Sequence, residues 1–419
     1  MHRILTLFAC LLLSQAATAE TETQFIKYRN YLIPITTEVV PDVACEFREI
    51  PADAEVQDEG NARVIILSDL AGEDNRGVFD PDDIQSLVHA VTYADKLDIE
   101  GVIPTATRRR DLSLSQANPS NEAMANEASE DRFNDIVDAY ASDLSRLRTI
   151  SGDFPDAEVL RNNTFAGGAQ FRYSINQTPL PVNDDTVSFK NDGVAHIIKR
   201  ARCGWFNDDQ RPLYVLSWGS SVDFAQAVAS APDIKRVVRF VSYSHVNDGN
   251  LGNGVTDSTC SIRGILSDPE TDRLQCQSWN FLRTQLDLWW VDYVGEPRPL
   301  QTCDGARLTA VEAGGNLGDE IIANGVEHGE LTGFEGGFGE DCFGSTQSFL
   351  KIGDTITTAF VLNVASQRNN PSGTTRFGNH IRTNASLRPT YWVLTLTGNR
   401  YPGFDVLYTD WIDRANSLR

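Results

Sequence analysis

Three carboxylates crowd the stretch RVIILSDLAGEDNRGVFDPDDIQSLVHAV, Arg63 to Val91. Asp69 closes an apolar run of strand length. The pair Asp82-Asp83 opens a helix in which Ile84, Leu87, Val88, Val91 and Ala94 recur at helical spacing. Taken singly, each acid has an ordinary structural use. Asp in a first helical turn interacts favourably with the helix dipole, and Asp at a strand end is a common turn residue. Taken together, acids that converge repel one another unless a cation neutralises them. Calcium takes about 6–8 oxygen ligands, with carboxylates mono- or bidentate, and suits an exported chain. A water held by such an ion beside one of the acids is a competent nucleophile.

For the three acids to converge, the elements that carry them must share one edge of a sheet. The chain alternates apolar strand-like runs with amphipathic helical patterns. RVIILSDL, DIEGVIPTAT, PLYVLSW and VVRFVSYS read as strands. Helical spacing runs through Phe133, Ile136, Val137, Tyr140, Leu144 and Leu147, and again through Val194, Ile197, Ile198 and Ala201. Further helices are expected from about Asp223 to Ala231, near SWNFLRTQLDLWWVDYV, from Asp354, and over Asp405–Asn416. The segment Asn118–Asp131 is polar and reads as a mobile loop. This alternation predicts the α/β class: an open, mostly parallel sheet with helices on both faces and a long, loop-rich second half. In such sheets ligands bind beyond the carboxyl ends of the strands, where Asp69 and the Asp82-Asp83 helix start both fall.

The ends and the composition set the surroundings. MHRILTLFACLLLSQAATAE has a basic start, an apolar run and the small-residue site Ala17-Thr18-Ala19, which predicts a signal peptide cleaved after Ala19 and a secreted or periplasmic protein. A lipoprotein cleavage at Cys10 is the rival, disfavoured by the short apolar segment before it. The expected organisation is a signal over 1–19, a lead segment over 20–61 and a single domain over 62–419. No later apolar run approaches the roughly 20 residues that span a bilayer. The net charge is −22, which repels phosphate backbones and anionic lipid and so argues against nucleic-acid or membrane partners. Six cysteines follow the signal: Cys45, Cys203, Cys260, Cys276, Cys303 and Cys342. Without a CxxC pair they read as up to three disulfides rather than a zinc cluster, with connectivity left open.

At this point the motifs acquire a family likeness. The segment ILSDL…DPDDIQSLVHAVTYADKLDIEGVIPTAT resembles the N-terminal motif of nucleoside hydrolases, and most closely their exported bacterial relatives, some of which are described as cellulose-binding. NDGVAHII, RPLYVLSWGSSVDFAQAV and KIGDTITTAFVLNV resemble later family segments, in the family's order. The resemblance implies that Asp69 is a metal ligand and general base, that Asp83 is a bidentate metal ligand, and that Asp82 binds sugar hydroxyls. It implies a backbone-carbonyl ligand at Trp218 and a closing ligand at Asp354, around Ca2+. Asn247 and Asp248 would line the sugar pocket. The chain departs from the pattern in the inserted residues Ala71–Phe79, in the loss of a proline after Asp354, and in the expected lack of the C-terminal β domain often found in this branch.

Outside that likeness, His245 and His328 are candidates to protonate a leaving group, with a hydrogen-bonded loop histidine as the plainer reading. Trp279, Trp289 and Trp290 suit either sugar stacking or a core. The expected function is calcium-dependent hydrolysis of an N-glycosidic bond in a nucleoside or related glycoside. The alternatives are a carbohydrate-binding or cell-envelope protein without catalysis and an O-glycoside hydrolase. The expected partner is a small sugar or nucleoside, or a glycan; the oligomeric state stays open.

Overall fold

A computed structural model describes residues 24–28, 31–35, 45–68, 81–104, 119–164, 193–207, 210–219, 221–243, 278–279, 281–294, 301–302, 315–319, 350–351, 354–363, 368, 381–383, 390–395, 410–411 and 413–414. The chain divides into two compact units, Met1–Glu49 and Ile50–Arg419. In the first, strands β1 (Gln24–Tyr28) and β2 (Tyr31–Ile35) pair antiparallel. Cys45 is disulfide-bonded.

The second unit is an α/β structure. Its elements in order are β3 (Ala62–Ser68), α1 (Pro81–Val91), β4 (Leu97–Pro104), α2 (Pro119–Ile150), α3 (Ala157–Asn163), α4 (Gly193–Asn207), β5 (Leu213–Ser217) and α5 (Val222–Ser230). They continue with β6 (Val238–Tyr243), β7 (Trp289–Val294), β8 (Gln301–Thr302), β9 (Leu350–Lys351), α6 (Thr355–Val361), β10 (Ile381–Thr383) and β11 (Tyr391–Thr395). The sheet runs β10-β11-β7-β6-β5-β3-β4. Every neighbouring pair is parallel except β10–β11. Cys203, in α4, is disulfide-bonded, and Cys260, Cys276, Cys303 and Cys342 lie outside the described residues.

The period of two along β3 divides the core. Val64 and Ile66 face one layer with α1, α2 and α6, while Ile65 and Leu67 face the other with α4 and α5. All seven residues of β3 are buried, which is why the strand reads as an unbroken apolar run rather than an alternation. The expected helices in the first half recur, but the second is far longer than its apolar spacing, Pro119–Ile150, and the third continues to Asn207.

Two expectations fail. The polar segment at Asn118–Asp131 is helix from Pro119 onward, continuous with the helix that ends at Ile150. Pro occupies the first helical position, where its missing N–H costs nothing, and Ala, Glu and Met sustain the helix despite their polar company. The aromatic run expected to be helical instead gives only short helical pieces at 278–279 and 281–284, then the strand β7. Consecutive β-branched and aromatic residues favour that outcome. Trp289 and Trp290 point into opposite layers. Trp279 and Trp290 meet with ring centroids 4.8 Å apart. All three tryptophans are therefore core. The C-terminal helical pattern is present at 410–411 and 413–414.

Candidate metal centre

The strand order fixes where a ligand site can form. The chain's first parallel strand, β3, has β4 on one side and β5 on the other. The connections therefore leave in opposite directions at β3/β5, opening a crevice beyond the carboxyl ends of those two strands. Backbone hydrogen bonds lace the rim there: the N–H groups of Trp218 and Gly219 both donate to the Leu67 carbonyl, at 2.9 and 3.0 Å. Ser217, the last residue of β5, stiffens the turn that follows, its Oγ donating to the Gly219 carbonyl at 3.0 Å and lying 3.2 Å from Ser221 Oγ.

Around this crevice the described acids take defined positions. Asp83, in the first turn of α1, is 2% exposed. Ser68 Oγ, at the end of β3, donates to Asp83 Oδ1 at 2.6 Å. Trp218, 2% exposed, donates its indole Nε1–H to Thr357 Oγ1 at 2.6 Å. Thr357 in turn donates to the Asp354 carbonyl at 2.9 Å through its hydroxyl and at 3.1 Å through its N–H. Asp354, 3% exposed, precedes α6, yet its carboxylate makes no capping bond to that helix. The simplest structural explanation for an acid at that position is thus removed. A continuous path runs from Asp83 through Ser68 and Leu67 to Trp218, Thr357 and Asp354. Helix α6 packs on α1, β5 and β6, which brings the two acids to one rim.

Of the remaining sequence candidates, Asp82 lies in the first turn of α1, with its side chain outside the described residues. Asp69, Asn247, Asp248, His245 and His328 also lie outside them. Among the described residues no group of three or more His, Cys, Asp or Glu side chains is placed to hold a metal, and the described part of the rim contributes two carboxylates. Those donors are oxygen, the hard ligand type that suits calcium or magnesium over softer transition metals. The residues at the rim therefore fit a hard cation.

Sequence reasoning missed Ser68 and Thr357, the two hydroxyls that hold this rim. Their signal was present but weak: a serine immediately before the strand-ending Asp69, and a threonine three residues after Asp354. It also missed a parallel arrangement on the opposite face of the sheet. There Ser242 Oγ donates to Asp292 Oδ1 at 3.0 Å and accepts the Trp290 indole N–H at 2.8 Å. Asp292 is 1% exposed.

The fold is a nucleoside hydrolase-like α/β fold. Within it, residues 63–251 match the family described as cellulose-binding Sde182, nucleoside hydrolase-like domain, so the family likeness read from the motifs holds. Among solved structures, the chain is similar to a nucleoside hydrolase-related protein from Saccharophagus degradans described as associated with carbohydrate metabolism. Identity is 18%, the match covers 86% of this chain and 72% of that one, and the TM-score is 0.51. An inosine-uridine preferring nucleoside hydrolase from Bacillus anthracis matches at 13% identity over 85% of this chain and 100% of its own, with a TM-score of 0.42. A comparison with curated proteins finds no match.

Proposed function

We propose that the chain is an exported, calcium-dependent glycosidase that hydrolyses the N-glycosidic bond of a nucleoside or related glycoside at the β3/β5 rim. The observation that supports this reading is the run of hydrogen bonds that links the buried Asp83 carboxylate, through Ser68, Leu67, Trp218 and Thr357, to the main chain of buried Asp354. Asp69, Asp83, Asp354 and the Trp218 carbonyl would hold the ion. Bound calcium would supply positive charge that acidifies water and stabilises developing negative charge. Asp69 would take the proton from the attacking water, at the end of the strand whose Ser68 already holds Asp83. Asp82, in the first turn of α1, would accept hydrogen bonds from the sugar hydroxyls and orient the ring, with Asn247, Asp248 and His328 completing the pocket. Asp69→Asn should abolish nucleoside hydrolysis while leaving the thermal unfolding transition in place; undiminished turnover would refute the assignment.

A second reading is supported by the family description itself, which names cellulose binding. On that reading the rim binds a glycan without cleaving it. Retention of the protein on cellulose, with no release of base or sugar from nucleosides, would select it.

A further inference from the structure

Hydroxyl groups meet both described acids of the rim, at the carboxylate of Asp83 and at the main-chain carbonyl of Asp354. Ser68, fully buried at the end of β3, places its Oγ 2.6 Å from Asp83 Oδ1. Thr357, also fully buried, stands between two groups of the rim. Its Oγ1 accepts the Trp218 indole and donates to the Asp354 carbonyl. A threonine hydroxyl has one proton and two lone pairs. Here the proton is directed to the Asp354 carbonyl and one lone pair to Trp218, which fixes the start of α6 against the residue that follows β5. The Leu67 carbonyl, accepting from Trp218 and Gly219, ties β5 back to β3 one residue before Ser68.

The chemistry of the brace matters as much as its position. A hydroxyl orients a carboxylate by occupying one of its lone pairs and adds no charge of its own. An arginine in the same place would orient the acid and neutralise it as well. We infer that Ser68 and Thr357 are positioning residues of the cation site: Ser68 sets the Asp83 carboxylate, and Thr357 sets the Asp354 main chain against the Trp218 indole. This inference rests on the cation reading given above. Outer partners that orient metal ligands typically govern affinity by 10–100-fold.

The test is calorimetric titration of the full chain with calcium chloride, paired with thermal melts in chelator that report folding without the ion. Ser68→Ala and Thr357→Val should each weaken calcium binding about 10–100-fold, while Thr357→Ser, which keeps the hydroxyl, should bind like the parent. Asp83→Ala should abolish binding. If the parent and the two hydroxyl-deleting variants bind calcium equally while Asp83→Ala does not, the positioning role is overturned and the cation reading stands. If the parent binds no calcium, both fall. A loss confined to the chelator melts, with calcium affinity unchanged, marks the hydroxyls as structural only and also overturns the inference. Should Thr357→Val fail to fold, Ser68→Ala decides the matter alone.

Discussion

The two ends of the central sheet handle buried charge in different ways. At the amino end, acids meet guanidinium groups. Arg63, near the start of β3 and 1% exposed, grips Glu100 with Nε and Nη2 at 2.6 and 2.8 Å. It spends its other donors on the carbonyls of Arg200 and Arg211. Arg211 reaches Asp98 at 2.6 Å, Arg414 reaches Asp95 at 2.8 Å, and Arg368 reaches Asp58 at 3.0 Å. At the carboxyl end, Asp83 accepts a hydrogen bond from the Ser68 hydroxyl, and Thr357 ties the Asp354 main chain to the Trp218 indole. A paired guanidinium cancels the charge of its acid inside the protein, whereas a hydroxyl only aims it. The first arrangement locks strands and chain ends in place. The second places a hydroxyl on the Asp83 carboxylate at the point where the topology opens a crevice.

That contrast is open to attack from the locked end. The strongest blow should be Arg63→Ala, which strands Glu100 beside a void; breaking one side of a buried pair costs ~3–5 kcal/mol. A urea midpoint should fall accordingly, while calcium affinity of the molecules that remain folded should not change. Loss of calcium affinity would show that the two ends are not separate.

Acid comes next. His89, in the last turn of α1, is fully buried between Tyr93 and Trp411, with ring centroids 5.0 Å from each. Among the described residues neither ring nitrogen has a hydrogen-bond partner. Burial, assisted by the nearby Arg414 cation, lowers its pKa from 6.5 to about 3. The other charged groups of this corner among the described residues include Asp95 and Asp410, both engaged by Arg414, whose guanidinium also lies 4.2 Å over the Tyr93 ring, and Lys96, 3.2 Å from Asp95. A depressed folded-state pKa means that the unfolded chain takes up the proton first. The stability contributed by neutral His89 is complete above pH 6.5 and is lost progressively as pH falls toward about 3. The loss is a few kcal/mol at most, at ~1.4 kcal/mol per pH unit. His89→Leu should flatten that acid limb in melts between pH 7 and 4. A limb of unchanged slope would assign the sensitivity elsewhere.

A smaller effect should follow from Gly204→Ala. A Cβ there would lie 1.7 Å from Arg63 Nη2, so α4 must shift or the buried guanidinium must leave its partners. Overpacking of this kind costs ~1–3 kcal/mol, readable as a lower urea midpoint. The least consequential change should be Asp98→Asn. Its partner Arg211 is 19% exposed and Asp98 itself 38%, so screening limits the pair to ~0–1 kcal/mol. If this substitution proved as costly as Arg63→Ala, burial would not be what grades the pairs along this end.

Much of the fold could be read from local pattern. The unbroken apolar run of β3 and the helical spacing of Ile84, Leu87 and Val88 specify their elements because pleat and helix pitch are local properties of the backbone. Pattern misled where composition and geometry disagreed. The polar residues from Pro119 read as loop yet form helix, and the tryptophan-rich segment before Val294 read as helix yet supplies a central strand. At the rim, Asp83, Trp218 and Asp354 were legible through their family likeness. Ser68 and Thr357 were not, because a hydroxyl has no signature until its partner is known. The partner of Thr357 stands 139 residues away.

The sequence by itself determined which segments become strands and helices, and where along the chain the acids of the rim occur. Only the tertiary structure decided that β3 lies between β4 and β5, that Glu100 meets Arg63, and that the Ser68 hydroxyl meets Asp83. Strand order and long-range hydrogen bonds follow from how whole layers pack. No periodicity within a dozen residues encodes them.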